Sequence, residues 1–307
     1  MNSSFCSPDE WLRRGHWTTY RGQRMFYREE GQGEALLLIH GFPTASWDWH
    51  KLWPDLTARY RVIAPDLVGF GYSAKPRRYA YSIHDQADWC LHLLRERGVG
   101  ECHLLVHDYG NTVAQELLAR FAEAPDDSPT LRSCCFLNGG LFPEMHRALP
   151  VQKALASPLG AVLTLFNHRA YLQRTFFDKL YAPPGIAPDE MRAFWHLITR
   201  RRGHWLFHKL IHYMADRRQH RERWVGILQT TAVPLRLIDG PEDPVSGRHM
   251  AEYYGQLVPN PDVVLLPGVG HYPQTEAPEA TLGAYLDFRD RLATGPGARP
   301  ETPLPSR

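Results

Sequence analysis

The sequence predicts an α/β protein: a mostly parallel, doubly wound sheet with a helical stretch inserted over one of its edges. Three observations lead there. Short apolar runs in the first half end in turn residues and are separated by segments of helical length, the pattern of strands alternating with helices. This rhythm stops after about Leu141 and resumes near Leu235. Polar residues able to do chemistry fall just past several runs, where the carboxyl ends of parallel strands would lie.

In chain order, the first run is Ala35–His40, ending at Gly41, and the second is Tyr60–Ala64, before Pro65 and Asp66. His103–His107 runs into Asp108, and Leu131–Leu137 ends at Asn138-Gly139-Gly140. Ile83–Arg97 and Thr112–Glu123 read as helices between strands. From Leu141 to Trp224 no strand is expected, because prolines (Pro150, Pro158, Pro183, Pro184, Pro188) divide helix-like stretches. Leu235–Ile238 and Val263–Leu266 resume the strand pattern, and Ala277–Leu292 is a final amphipathic helix. The expected organisation is a core of residues 15–142 and 226–294, a helical cap inserted over 143–225, and a disordered tail over 295–307, rich in Gly and Pro.

Composition narrows the class. The chain has 307 residues, 43% of them apolar and 22% charged, enough for a sizeable core and too apolar for wholesale disorder. Net charge is +2, from 35 basic and 33 acidic side chains, so a surface built to neutralise nucleic-acid phosphates is not expected. Five cysteines (Cys6, Cys90, Cys102, Cys134, Cys135) form no C-x-x-C pair, which argues against a disulfide framework or a thiolate zinc site. Met1–Glu10 lacks the basic-then-apolar order of a signal peptide. No apolar run approaches the roughly 18 residues of a membrane span. A cytoplasmic protein is expected, with no membrane segment; its oligomeric state is not legible.

The central feature is Leu104-Leu105-Val106-His107-Asp108-Tyr109-Gly110-Asn111, a strand that meets a helix at a sharp turn. This is the layout of a nucleophile elbow, with Asp108 at the nucleophile position. The alternative is that Asp108 only caps the following helix. Two later segments weigh against that alternative. Asp243 lies in the loop after Leu235–Ile238, and His271 lies in the loop after Val263–Leu266. The order nucleophile, acid, histidine, each just past a strand, suits a triad.

The chemistry follows from the residue types. An ionised Asp108 can attack an electrophilic carbon without a base, giving an alkyl ester on the enzyme. His271 would deprotonate the water that hydrolyses this ester, and Asp243 would orient His271. The backbone N–H groups of Tyr109 and Phe42 are the expected oxyanion donors. A carboxylate nucleophile suits displacement at sp³ carbon, since attack on an acyl group yields only a labile anhydride.

His40-Gly41-Phe42-Pro43, the segment Asp66–Ser73, His107-Asp108-Tyr109-Gly110 and Gly270-His271-Tyr272-Pro273-Gln274-x-Glu276 together resemble the α/β-hydrolase family, in particular its branch of epoxide hydrolases and haloalkane dehalogenases. A narrower likeness, to one member of the family, runs from about Gly15 to Leu286. It includes residues 40–49, 107–111, 137–147 and 223–228. The resemblance implies the α/β-hydrolase fold, a hydrolase acting with water on a small apolar electrophile, and no cofactor. Epoxide hydrolases need cap tyrosines as proton donors. Tyr213 matches the later one, and Tyr171 is the nearest candidate for the earlier. Dehalogenases hold halide with side-chain donors, for which Trp195 or Trp205 would have to serve. Epoxide opening to a diol is therefore preferred over dehalogenation. A hydrolase fold kept for binding without catalysis is the rival class, and oxygenase or decarboxylase chemistry on the same scaffold stays open.

Other signals carry plainer readings. His204, His208 and His212 recur every four residues on one expected cap helix; a polar face is preferred over a metal site, so none is expected. His40 reads as a structural partner of the oxyanion loop. His107 either lines the elbow or packs behind the sheet. The arginines 200–202, 217, 218, 221 and 223 read as a solvated helix surface. The aromatic residues Phe166, Phe176, Phe177, Trp195, Trp205 and Phe207 suit either a pocket or a helix–helix core.

Overall fold

The computed structural model describes residues 6–124, 129–166 and 168–294. The tail expected over 295–307 lies outside the described residues, as does the side chain of Phe166. Eight strands form one sheet: β1 (His16–Tyr20), β2 (Gln23–Glu30), β3 (Ala35–Ile39), β4 (Arg61–Pro65), β5 (Glu101–Val106), β6 (Thr130–Phe136), β7 (Leu235–Asp239) and β8 (Val263–Leu265). Their order is β1-β2-β4-β3-β5-β6-β7-β8. Strands β4 through β8 in that order pair in parallel, and β2 runs against both its neighbours.

The central strands explain themselves. Every residue of β3, Ala-Leu-Leu-Leu-Ile, is buried, as a strand covered on both faces by helices requires. Leu37 pairs with Leu104 of β5, and Leu105 pairs with Cys135 of β6. Cys90, Cys102, Cys134 and Cys135 are buried free thiols that act as small apolar residues. Helices Ile83–Glu96 and Tyr109–Glu123 cross between parallel strands as expected. β1 and β2, absent from the apolar-run reading, form an antiparallel ribbon closed by Arg21 and Gly22, both at positive φ.

Between β6 and β7 the described residues contain helices and turns and no strand. The last of these helices, Arg221–Thr230, runs through the boundary expected at 225/226. The helix expected to carry three histidines in line is broken. Arg201 and Arg202 adopt φ values of 49° and 61°, which interrupt the ladder before Gly203. His204 then lies in the 3₁₀ segment Arg200–Leu206, His208 in the short helix Phe207–Leu210, and His212 at the start of Tyr213–Gln219. Among the described residues no group of three or more His, Cys, Asp or Glu is placed to hold a metal ion.

Aromatic rings join the insertion to the sheet's loops. Tyr181 stacks on Tyr272 with centroids 5.1 Å apart, and Phe177, itself stacked on Phe194, packs on Tyr272 at 5.9 Å. Such pairs add about 0.5–1.5 kcal/mol to their burial. Among the described residues no helix is long and apolar enough to cross a membrane.

Candidate active site

β5 delivers Asp108 at its carboxyl end, where the chain must turn at once into Tyr109–Glu123. Asp108 sits at φ 45°, ψ −101°, a region that costs a non-glycine residue on the order of 1–3 kcal/mol. The turn is tight because helix and strand nearly touch: a Cβ at Gly110 would overlap the Ile39 carbonyl oxygen. Asp108 occupies the helix's capping position, yet its side chain makes no capping hydrogen bond. The reading of Asp108 as an ordinary helix cap therefore fails, because the strained turn swings the carboxylate away from the helix N–H groups.

The carboxylate points instead at the loop after β3. Phe42 N–H donates to Asp108 Oδ2 at 3.0 Å. The Phe42 loop is held by His40, which accepts from Leu67 N–H through Nε2 at 3.1 Å and donates through Nδ1 to Gly41 O at 2.8 Å. Tyr109 is buried, its ring edge-on to Tyr213 at 5.0 Å.

β7 and β8 bring the other two candidates together. His271 Nδ1 donates to Asp243 Oδ2 at 2.7 Å. Asp243 also accepts from Val245 N–H at 2.8 Å, Ser246 N–H at 3.1 Å and Ser246 Oγ at 2.6 Å. Burial alone would raise the Asp243 pKa; the His271 imidazole and these donors outweigh it and lower it to about 2. For His271, burial opposes the charged form, but the Asp243 and Asp108 carboxylates prevail and raise its pKa above 6.5. Asp108, Asp243 and His271 are 4%, 2% and 2% exposed, so a substrate reaches them only when covering side chains move.

Further residues hold this geometry, among them Asp239, which the sequence did not single out. Asn138 Nδ2 donates to Asp239 Oδ1 at 3.0 Å and to Gly240 O at 2.9 Å, and its Oδ1 accepts from Gly240 N–H at 2.7 Å. Asp239 beside it is raised to about 9 by burial and the Asp243 charge, so it is neutral in the fold. His107 lines the elbow and donates through Nε2 to the His271 carbonyl at 2.8 Å; burial lowers its pKa to about 3. Glu276 accepts from Gly270 N–H (2.9 Å), Tyr272 N–H (2.8 Å) and Ala182 N–H (2.8 Å). His271 N–H donates to Leu180 O at 2.8 Å. The histidine loop is thus tied to the insertion at residues 180–182.

The insertion contributes Tyr213 and Arg217. Tyr213 is buried, with its hydroxyl lacking a hydrogen-bond partner, and burial plus the Asp108 charge keep the phenol protonated. Arg217, expected on a solvated surface, is 2% exposed and bonded to the elbow. Its Nε donates to Thr112 Oγ1 on Tyr109–Glu123, which turns the charge inward. Tyr171 is exposed, and Trp205 packs with Arg77 and Arg202 rather than over Asp108. Neither supplies a donor at the nucleophile.

A strand-borne elbow, an acid and a histidine on successive loops, and a helical insertion above them define the α/β-hydrolase class. The chain belongs to the alpha/beta hydrolase family, whose profile matches residues 36–284, and it is an enzyme of that family. It is 39% identical over 293 residues to the mesoderm-specific transcript protein of Mus musculus, covering 91% of this chain and 86% of that one. Among solved structures it resembles the haloalkane dehalogenase DbeA from Bradyrhizobium elkani USDA94, with TM-score 0.77, 25% identity and coverage of 92% and 99%. An epoxide hydrolase, CorEH, shares the fold at TM-score 0.72 and 21% identity, covering 90% of this chain and 98% of that one.

Proposed function

We propose that the enzyme hydrolyses epoxides to diols through an alkyl ester on Asp108, with residues 143–225 acting as a cap on a core of residues 15–142 and 226–294. The observation that carries this reading is the division of labour between the two oxygens of Asp108. Oδ2 is held by Phe42 N–H at 3.0 Å, while Oδ1 has no hydrogen bond and is free to attack.

In the first step an Oδ1 lone pair bonds to an epoxide carbon. The C–O bond of the ring breaks and its oxygen takes the proton of Tyr213, whose hydroxyl has no other partner. In the second step His271 removes a proton from water, and the hydroxide adds to Cγ of Asp108. The oxyanion forms on Oδ2, where the Phe42 and Tyr109 N–H groups stabilise it. Collapse expels the product alkoxide, which takes the proton from His271. The carboxylic acid left on Asp108 returns its proton to Tyr213. Asp243, bonded to Nδ1 of His271, fixes the tautomer that presents Nε2 to water. Epoxide is preferred over halide because Tyr213 supplies a proton, which an alkoxide needs and a halide does not.

The test is intact mass spectrometry of His271→Gln exposed to epoxides, then to haloalkanes. Without its base, the protein should gain the mass of an epoxide, and the gain should vanish when Asp108→Asn is added. An adduct with haloalkanes alone would replace the epoxide reading by dehalogenation. No adduct with either panel, in a variant that melts like the parent, would refute the Asp108 ester.

A further inference from the structure

Arg217 is placed as no structural arginine needs to be. Its Nε donates to Thr112 Oγ1 at 2.6 Å, and its Nη2 donates to the Asp108 backbone carbonyl at 3.1 Å. The nearest carboxylate oxygen, Asp108 Oδ1, is 3.9 Å from Nη2, too far for a hydrogen bond. Nη1 is buried and has no hydrogen-bond partner. The guanidinium lies 4.5 Å from the centre of the Tyr213 ring. Gly140 makes room for it, since a Cβ there would overlap Nη1 and lie 2.8 Å from His146 Nδ1. Both ring nitrogens of His146 are also buried without partners. A buried cation with an idle donor is expensive unless something completes its pairing.

We propose that Arg217 recognises a carboxylate carried by the substrate next to the carbon that Asp108 attacks. This rests on the Asp108 ester mechanism and names its substrate class: an epoxide bearing an acid group. The geometry supplies the reason. Nη1 and the ring nitrogens of His146 are buried without partners and lie together beside Gly140. Alkylation moves the negative charge from Asp108 to the Tyr213 oxygen, so Arg217 keeps an anion nearby throughout, yet neither anion is hydrogen-bonded to Nη1. A substrate carboxylate would give that donor its partner and fix the epoxide carbon in front of Asp108. His146, kept neutral by burial and by Arg217 itself, adds a second donor beside Nη1 without adding charge.

The experiment compares glycidate with glycidyl methyl ether as alkylating agents of His271→Gln, followed by intact mass. Glycidate should react faster by on the order of tenfold to a hundredfold, the range for a hydrogen-bonded charge pair. Arg217→Gln in the same background should lose that preference while still reacting with the ether, and Arg217→Lys should keep part of it. Equal rates for the two agents, or a preference untouched by Arg217→Gln, would overturn the proposal while leaving the Asp108 ester intact.

A second measurement needs no chemistry. Asp108→Asn, with the competing charge removed, should be stabilised by acetate in a thermal melt more than the wild-type enzyme is. Arg217→Gln should show no acetate dependence. Chloride acting as well as acetate, or no acetate effect in Asp108→Asn, would each overturn carboxylate recognition. If neither agent alkylates any variant, the ester reading fails and the acetate melts alone decide the Arg217 proposal.

Discussion

Two carboxylates four residues apart have opposite fates, and both lead to measurements. Asp243 accepts from His271, Val245, Ser246 and Asn138 and is ionised; Asp239 faces it with one oxygen unpaired and is neutral. Asp239 must take up a proton on folding at any pH above its unfolded value of 3.8 and below about 9, which weighs against the fold more as pH rises. Asp239→Asn removes that uptake. Its melting temperature relative to wild type should therefore increase from pH 5 to pH 9; a constant difference would show that Asp239 is ionised in the fold. His271 obeys the reverse sign. It works as a base only when neutral, and the Asp243 carboxylate favours its charged form, so hydrolysis of the ester should fall as pH drops. Rapid-mixing rates for ester loss across pH 5–9 would locate that limb, and Asp243→Asn should move it to lower pH; an unmoved limb would contradict the pairing with Asp243.

At the scale of elements, the elbow and the histidine loop are held by single features. Gly110→Ala would press a methyl group into the Ile39 carbonyl, separating strand from helix at the nucleophile; a loss of about 1–3 kcal/mol is expected in denaturant unfolding. Glu276→Gln would replace one acceptor oxygen by a donor facing backbone N–H groups. That should cost about 1–3 kcal/mol and slow ester hydrolysis more than alkylation, because the loop it clamps carries His271. The elements most legible in the sequence were the parallel strands, since β3 is apolar and buried throughout and β5 and β6 end in apolar, buried runs, Leu104–Val106 and Cys134–Phe136. β1 and β2 escaped because their pairing is antiparallel and β1, His-Trp-Thr-Thr-Tyr, has exposed residues. The loop positions of Asp108, Asp243 and His271 could be read because a turn follows each strand. Arg217 could not, for nothing in a run of arginines distinguishes the one that folds inward.

Across the whole molecule, order is unevenly distributed. β3 is buried throughout and β4, β5 and β6 over most of their length, whereas the insertion is assembled from helices as short as three to seven residues over much of its length. Leu159, Val162, Leu163 and Leu165 are exposed within it. Short helices with few buried contacts open more readily than core strands. Amide hydrogen exchange should therefore be slowest in β3, β5 and β6 and fastest over residues 159–165 and 168–172, by several orders of magnitude. Uniform protection across both regions would mean that the insertion unfolds only with the sheet.

The bonds from Leu180 and Ala182 to the histidine loop also set where the chain can change in length. A residue added or lost between Phe177 and Ala182 would displace the Leu180 carbonyl that holds His271 N–H, and with it the imbalance would reach the imidazole. The same change among residues 159–165 would meet no such tie to the histidine loop. Drift in the insertion can therefore reshape its outer rim by gain and loss of residues, while the stretch beside the base can vary by substitution alone.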